Sequence, residues 1–247
     1  MSILITGANG MLGSVLARSL KGSESLLGRK HLDLTCFDSV RKFLKDKTYD
    51  VIFHCAAFTD LNYCEAEPLK SFRLHSTVVP ILQKHCKKLI YISTNPTDSL
   101  KYYYISKQSG EDLTLQRAED LVVRTNIYGL GGLFEWVVNS LKSQEVFFGY
   151  DDVIFNPVST YQLSDFLINK SKGYSGIINI CSDSKISKYN FILDVAKNLN
   201  LNFKNLKACK KQNDLDLTIP DKNAFIYPYQ EGLYSLCKNL LEKRYEK

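Results

Sequence analysis

The segment ITGANGMLG, residues 5–13, constrains this chain more than any other stretch. It places Gly7, Gly10 and Gly13 directly after the apolar run SILIT (2–6), at the start of a stretch that reads as helix to about residue 20. A strand that turns into a helix in this way has three uses for residues without a side chain. One permits a sharp turn, one lets the backbone approach a pyrophosphate, and one lets helix and strand pack closely. The spacing differs slightly from Gly-x-Gly-x-x-Gly but meets the same needs, and the helix N-terminus adds amide donors and partial positive charge. Asn9, Met11 and Leu12 sit in the same turn and are grouped with the three glycines as candidate cofactor contacts. An ordinary tight turn is the plainer alternative.

The alternation continues beyond this turn. SESLLG (23–28) reads as a second strand, FDSVRKFLKD (37–46) as an amphipathic helix and DVIFHCAA (50–57) as a third strand. EPLKSFRLHSTVVPILQKHC (67–86) reads as one long helix, KLIYIS (88–93) as a fourth strand, a helix follows near 103–116, and LVVRT (121–125) is a further strand. Strands alternating with helices imply β-α-β units, hence an α/β fold with a doubly wound parallel sheet of Rossmann type. Past about residue 130 the pattern loosens, with one strand at GIINIC (176–181) and helices at 190–200 and 231–243. The expected layout is a dinucleotide-binding domain over 1–150 and a smaller substrate lobe over 151–247, interleaved with the first.

At the end of the second strand, where NAD-preferring proteins usually carry an acid for the ribose 2′-hydroxyl, the sequence has Gly28 followed by Arg29 and Lys30. Two cations without a carboxylate suit a 2′-phosphate, so NADP(H) is expected over NAD(H). The competing reading is a basic turn facing water. The segment KYYYISK (101–107) raises a different question, since three tyrosines precede one lysine. On a helix, residues four apart share a face, and only Tyr103 has a cation at that spacing, Lys107. An ammonium beside a phenol favours the phenolate, so a pKa below the ordinary value of about 10 is expected for Tyr103.

Composition narrows the class. With 45% hydrophobic and 23% charged residues in 247, the chain has an ordinary globular balance and no run long enough to span a membrane. MSILITGANG lacks a basic leader, so no signal peptide is expected. Seven scattered cysteines without a Cys-x-x-Cys suit reduced thiols in a cytoplasmic protein, and four histidines at non-ligand spacings indicate no metal. The net charge of +6 is dispersed, with modest concentrations at 204–211 and 238–247. It fits a phosphate-bearing small molecule better than nucleic acid, for which no binding module is present.

ILITGANGMLG (3–13), LDLT (32–35), AAFTDLNYCEAEP (56–68), LIYIST (89–94), YYISKQSGE (103–111) and VVRTNIYG (122–129) together resemble the extended short-chain dehydrogenase/reductases, with FNPVSTYQLSDFL (155–167) a fainter match. The similarity is greatest to their dTDP-4-dehydrorhamnose reductase branch. It implies a catalytic trio of Thr94, Tyr103 and Lys107. Tyr103 would protonate a carbonyl oxygen, Lys107 would hold the cofactor ribose and lower the tyrosine pKa, and Thr94 would hydrogen-bond the same oxygen. It also implies cofactor contacts from Asp33 and Leu34 near the adenine and from Cys55, Ala56 and Ala57 along the cofactor. The plainer roles are a turn cap for Thr94 and a helix cap for Asp33.

Departures from the family bear on the substrate. STNPTDSLKYYYISK passes from Thr94 to Tyr103 in nine positions, a shorter connection than in relatives, although residues 95–102 can still span roughly 26 Å. Asn95 replaces the expected aspartate and no glutamate follows, which disfavours a 4,6-dehydratase. His75 stands where relatives often carry asparagine. The expectation is a cytoplasmic NADPH-dependent reductase of a 4-keto nucleotide-diphosphate sugar in surface polysaccharide synthesis. The rivals are an NAD-dependent nucleotide-sugar epimerase and a non-catalytic NADP-binding regulatory subunit. The expected partner is a nucleotide sugar, with neither nucleic acid nor membrane, and a homodimer is left open.

Overall fold

The computed structural model describes residues 1–20, 24–28, 31–96, 99–143, 145–211, 215–220 and 222–245, with residues 24–27, 215 and 243–245 described by backbone alone. The chain forms two compact units, Met1–Arg124 with Phe166–Ile178, and Thr125–Asp165 with Asn179–Lys247.

The first unit is built on strands β1 (Ile3–Thr6), β2 (Glu24–Leu27), β3 (Tyr49–His54), β4 (Cys86–Ser93) and β5 (Leu121–Thr125), all parallel and ordered β2-β1-β3-β4-β5. Helices α1 (Met11–Leu20), α2 (Phe37–Leu44), α3 (Leu61–Ala66), α4 (Pro68–Phe72), α5 (Val79–Gln83) and α6 (Tyr102–Thr114) connect them. A parallel strand buried on both faces needs apolar residues in succession rather than in alternation. Ile3, Leu4 and Ile5 in β1, and Leu89, Ile90 and Tyr91 in β4, meet that need and are almost wholly buried. Leu4, Ile52, Leu89 and Tyr91 share a core with Val40 and Leu44 of α2 and Leu82 of α5.

The chain runs from β1 to the edge strand β2 and then crosses back past β1 to form β3. The direction of winding therefore reverses between β1 and β3, and in open α/β sheets the ligand crevice opens outside the carboxyl ends of the strands at such a point. Register brings the ends together there, because Thr6 pairs with Leu27 on one side and with His54 on the other. Gly7, Gly28 and Cys55 consequently leave the sheet side by side.

One expected element is different. The long helix over 67–86 is broken into α4, a widened π-type turn at Arg73–Thr77, and α5, and β4 already begins at Cys86. Pro80 supplies the physical reason. It has no N–H to bond the carbonyl of Ser76, and its ring would strike that carbonyl in a regular helix. Within the widened turn, Val78 N–H reaches five residues back to the carbonyl of Arg73 at 3.1 Å.

The second unit holds β6 (Ile127–Tyr128), α7 (Gly132–Lys142), β7 (Phe147–Tyr150), β8 (Val153–Phe155), β9 (Val158–Ser159) and α8 (Thr160–Asp165). Strand β10 (Gly176–Ser182) carries the chain back into this unit, followed by β11 (Ile186–Ser187), α9 (Lys188–Asn198), β12 (Leu206–Cys209), β13 (Leu215–Asp216), β14 (Ala224–Tyr227) and α10 (Tyr229–Tyr245). In this unit β6 with β9, β7 with β12, and β8 with β11 and β13 form small sets, whereas β10 and β14 pair in parallel as members of a seven-stranded sheet. Aromatic rings fill the unit's core. Tyr128 and Phe191 meet edge to face at 5.2 Å, and Phe134, Phe155, Leu233 and Leu236 close around them. Strands of two to four residues carry no readable period, which is why the sequence shows only β10 among the strands of this region; nor does it show helix α7. No helix among the described residues is long and apolar enough to cross a membrane.

Candidate active site

The glycine turn does what its position requires. Gly7 has φ +66°, a left-handed conformation suited to glycine, and a Cβ on it would lie 2.8 Å from the Cα of Ala56. Gly10 N–H donates to the Gly7 carbonyl at 2.8 Å and closes the turn. Gly13 lies inside α1, where a Cβ would come within 2.2 Å of that same carbonyl, so its role is packing between helix and strand. Leu12 is buried and Met11 half-buried at the start of α1.

Gly7, Asn9, Gly10, Asp33, Leu34, Cys55, Ala56 and Ala57 line one groove of about 190 Å³, together with Gly28, Leu32, Thr35, Phe58 and Leu74. Met11, Leu12 and Gly13 stand outside that lining. At the end of β2 a Cβ on Gly28 would lie 2.3 Å from Nδ2 of Asn9, so a side chain here would have to displace the Asn9 amide. Arg29 and Lys30 lie outside the described residues. Asp33 accepts from the N–H and hydroxyl of Thr35 at 2.9 and 2.8 Å, holding the groove's rim in a local turn. It does not cap α2, whose N-cap is Cys36.

Two buried histidines stand behind the groove. His54 Nε2 donates to the Leu74 carbonyl at 3.1 Å, so Nδ1 accepts from the Thr6 hydroxyl at 2.8 Å. Burial, aided by the Lys107 charge, brings its pKa down to about 3. His75 Nε2 accepts the Phe58 N–H at 2.9 Å, which leaves Nδ1 to donate to the Ser106 hydroxyl at 2.8 Å. Burial, with the Lys107 charge next, lowers its pKa to about 2. Both rings are therefore neutral.

Helix α6 separates the three tyrosines. Tyr102 is exposed at 42%, and its N–H donates to Glu65 at 2.7 Å. Tyr104 is half-buried and faces a second cavity of about 140 Å³. Tyr103 turns its ring against His75, 5.9 Å between centroids, and against Tyr104 at 5.0 Å. Its phenol is pushed up to about 12 by burial, an effect the neighbouring Thr94 hydroxyl opposes. The expected lowering by Lys107 does not occur. The Lys107 ammonium donates to the Ile92 carbonyl and lies 4.2 Å over the Tyr91 ring, and for the phenol desolvation outweighs the Thr94 contact.

Lys107 is only 3% exposed, and burial brings its pKa down to about 7, although the charge on Glu111 pulls the other way. Lys107 and Thr94 line the second cavity with Ser93, Asn95, Gln108, Glu111 and Arg124. Arg124 Nε donates to both oxygens of Glu111, at 3.0 and 3.1 Å, which pairs that carboxylate at 5% exposure. The Thr94 hydroxyl donates to Oδ1 of Asn95 at 3.1 Å.

Thr94 and Lys107 thus share a cavity at the carboxyl end of β4, and Tyr103 neighbours Thr94 but lines neither this cavity nor the groove. Phe58 and Ser106 lie inside matched segments but carry no role there, and His75 stood out only as an exchange for asparagine. Pro80, five residues after His75, was the available signal, because a proline within a helical pattern marks a distorted turn.

A parallel sheet with its glycine turn at the β1/β3 switch, and a Tyr-x-x-x-Lys helix following β4, define the Rossmann-type dinucleotide fold of the extended short-chain dehydrogenase/reductases. Within that class the chain belongs to the family described as RmlD substrate binding domain, which it matches over residues 1–216. It is 26% identical over 215 residues to the spore coat polysaccharide biosynthesis protein SpsK of Bacillus subtilis, covering 76% of each chain. It is 28% identical over 191 residues to a dTDP-4-dehydrorhamnose reductase of Streptomyces griseus, covering 66% of this chain and 63% of that one. The crystal structure of dTDP-4-dehydrorhamnose reductase from Bacillus anthracis in complex with NADP superposes with a TM-score of 0.84 at 22% identity, over 96% of this chain and 99% of the other.

Proposed function

We propose that the protein is a cytoplasmic NADPH-dependent reductase of a 4-keto nucleotide-diphosphate sugar, acting in surface polysaccharide synthesis. The observation that carries this reading is the Tyr103 phenol, protonated, beside the Thr94 hydroxyl and one helical turn before Lys107. A phenol held up at about 12 is protonated at neutral pH but is a weaker acid than a free tyrosine. Its proton therefore leaves only as it is drawn to the carbonyl oxygen. The names of the relatives in spore coat polysaccharide and dehydrorhamnose metabolism point to the same substrate class.

The residues present fit a nicotinamide dinucleotide. Gly7 and Gly10 leave the turn bare where a pyrophosphate would approach, α1 presents its N-terminus there, and Asn9 over Gly28 leaves the ribose edge without a carboxylate. We assign Gly7, Asn9, Gly10, Met11, Leu12 and Gly13 to the phosphate turn, Asp33 and Leu34 to the adenine side, and Cys55, Ala56 and Ala57 to the wall along the groove. Arg29 and Lys30 are assigned to the 2′-phosphate. We assign the cofactor to the domain over 1–150 and the substrate to the lobe over 151–247. When bound, the reduced dinucleotide supplies the hydride that reaches the substrate carbon.

The chain's own residues supply the rest. Tyr103 passes its hydroxyl proton to the carbonyl oxygen. Thr94 rotates its hydroxyl from Asn95 toward that oxygen and helps orient it. Lys107, which donates to the Ile92 carbonyl, has further N–H groups for ribose hydroxyls.

A screen of NADPH consumption over 4-keto nucleotide sugars tests the reading. Turnover is expected with at least one sugar, and Tyr103→Phe is expected to lower it by at least about a thousandfold while leaving NADPH affinity nearly intact. Wild-type turnover with none of them, or an active Tyr103→Phe variant, would overturn it. NADPH is further expected to bind several-fold more tightly than NADH, with Arg29→Ala/Lys30→Ala erasing the gap. Equal wild-type affinities would refute the cofactor preference.

A further inference from the structure

We propose that His75 is a positioning residue that ties the wall of the cofactor groove to the catalytic tyrosine. This rests on the reductase reading of the site and assigns work to a side chain which that reading leaves idle. The imidazole is fully buried on the widened turn at Arg73–Thr77 and is held on two sides. Toward the groove, its Nε2 accepts the N–H of Phe58, next to Ala57 in the lining. Toward α6, its Nδ1–H donates to the Ser106 hydroxyl at 2.8 Å, and that hydroxyl donates to the carbonyl of Tyr103 itself at 3.0 Å. The His75 and Tyr103 rings then meet near a right angle, at 88°.

Such a link works only with one tautomer. An amide N–H can only donate, so the nitrogen facing Phe58 must be bare and the proton must sit on the nitrogen facing Ser106. A protonated ring would present a second N–H to the Phe58 amide, and the site excludes that form. The backbone of His75 is held as well. Its carbonyl accepts the Tyr91 hydroxyl at 2.7 Å, and a Cβ on Gly110 would lie 2.1 Å from the same carbonyl, so α6 lies directly against this turn. The widened turn frees the neighbouring carbonyl too, since Leu74 bonds His54 rather than Val78. A local distortion of the helix thereby fixes both the direction and the proton of one imidazole between the two halves of the proposed site.

Two substitutions separate the two bonds. In His75→Asn the side-chain amide reaches Ser106 but falls short of Phe58. In His75→Gln the carbonyl reaches Phe58, and the bond to Ser106 is lost. Both remove the His75 ring from Tyr103, so both are expected to lower kcat about tenfold. Only His75→Asn is expected to weaken NADPH binding as well, by about tenfold in Kd, and Ser106→Ala should match His75→Gln in lowering kcat alone. Binding is read by titration and kcat by NADPH consumption, with thermal unfolding used to score the folded fraction. The proposal is overturned if the Asn and Gln variants bind NADPH alike, or if both keep wild-type kcat and lose only thermal stability. Failure of the wild type to bind NADPH or turn over any keto sugar would instead sink the reductase reading, so the two failures are distinct.

Discussion

Lys107 in the first unit and Lys188 in the second have both been drawn out of water, in different company. Burial pulls each to a pKa of about 7. Lys107 keeps polar support, with the Ile92 carbonyl as acceptor, the Tyr91 ring beneath it and the charge of Glu111 nearby. Lys188 has the face of Phe155, 3.3 Å from ammonium to centroid, and no carboxylate pairs it among the described residues. It also opens α9, where the helix dipole disfavours a cation. A desolvated ammonium among acceptors is one that a ligand's hydroxyls can join, whereas one resting on a ring is a packing element with a charged tip. Low pKa alone does not mark a functional lysine; the atoms around it do.

The largest expected effect breaks the pair apart by activity. Lys107→Met should lower turnover by at least about a hundredfold, while Lys188→Met should stay within about twofold of wild type. Equal losses in NADPH-consumption assays would erase the distinction. Next comes Glu111→Gln, which strands the Arg124 guanidinium and withdraws the charge that supports the Lys107 ammonium. Denaturant titration should show a loss of about 3 kcal/mol, the scale for breaking a buried pair. An unchanged midpoint would mean that solvent already screens the pair.

The smallest effect appears in the pH dependence of stability. For both lysines the folded pKa of about 7 lies below the ordinary 10.5. Between those values the unfolded chain holds a proton that the native chain does not, so these groups make stability rise as pH rises through that window and add nothing further above it. Replacing either lysine by methionine should flatten the rise between pH 7 and 10 in urea midpoints. A slope identical to wild type in Lys107→Met would show that its ammonium is charged in the native state throughout.

Much of the first unit was legible in advance because its signals are local. Buried parallel strands need apolar runs, and β1, β4 and β5 stand where those runs stand. The second unit was read less well. Pairs such as β6 with β9 and β11 with β8 involve strands of two or three residues, too short to show a period, and their partners lie far along the chain. The helix break at Arg73–Thr77 fell between these cases, since Pro80 was visible while the carbonyls that Tyr91 and His54 would capture were not.

The sequence by itself determined the turn of Gly7, Gly10 and Gly13 and the shared face of Tyr103 and Lys107. Both depend only on spacing along the chain and on the 3.6-residue period of a helix. Tertiary structure alone decided that Asn9 lies over Gly28, that His75 joins Phe58 to a serine 31 residues away, and that the Tyr103 phenol rises while the Lys107 ammonium falls. A proton's affinity depends on how much water a group has lost and which dipoles face it, and those are set by segments that meet only when the chain has folded.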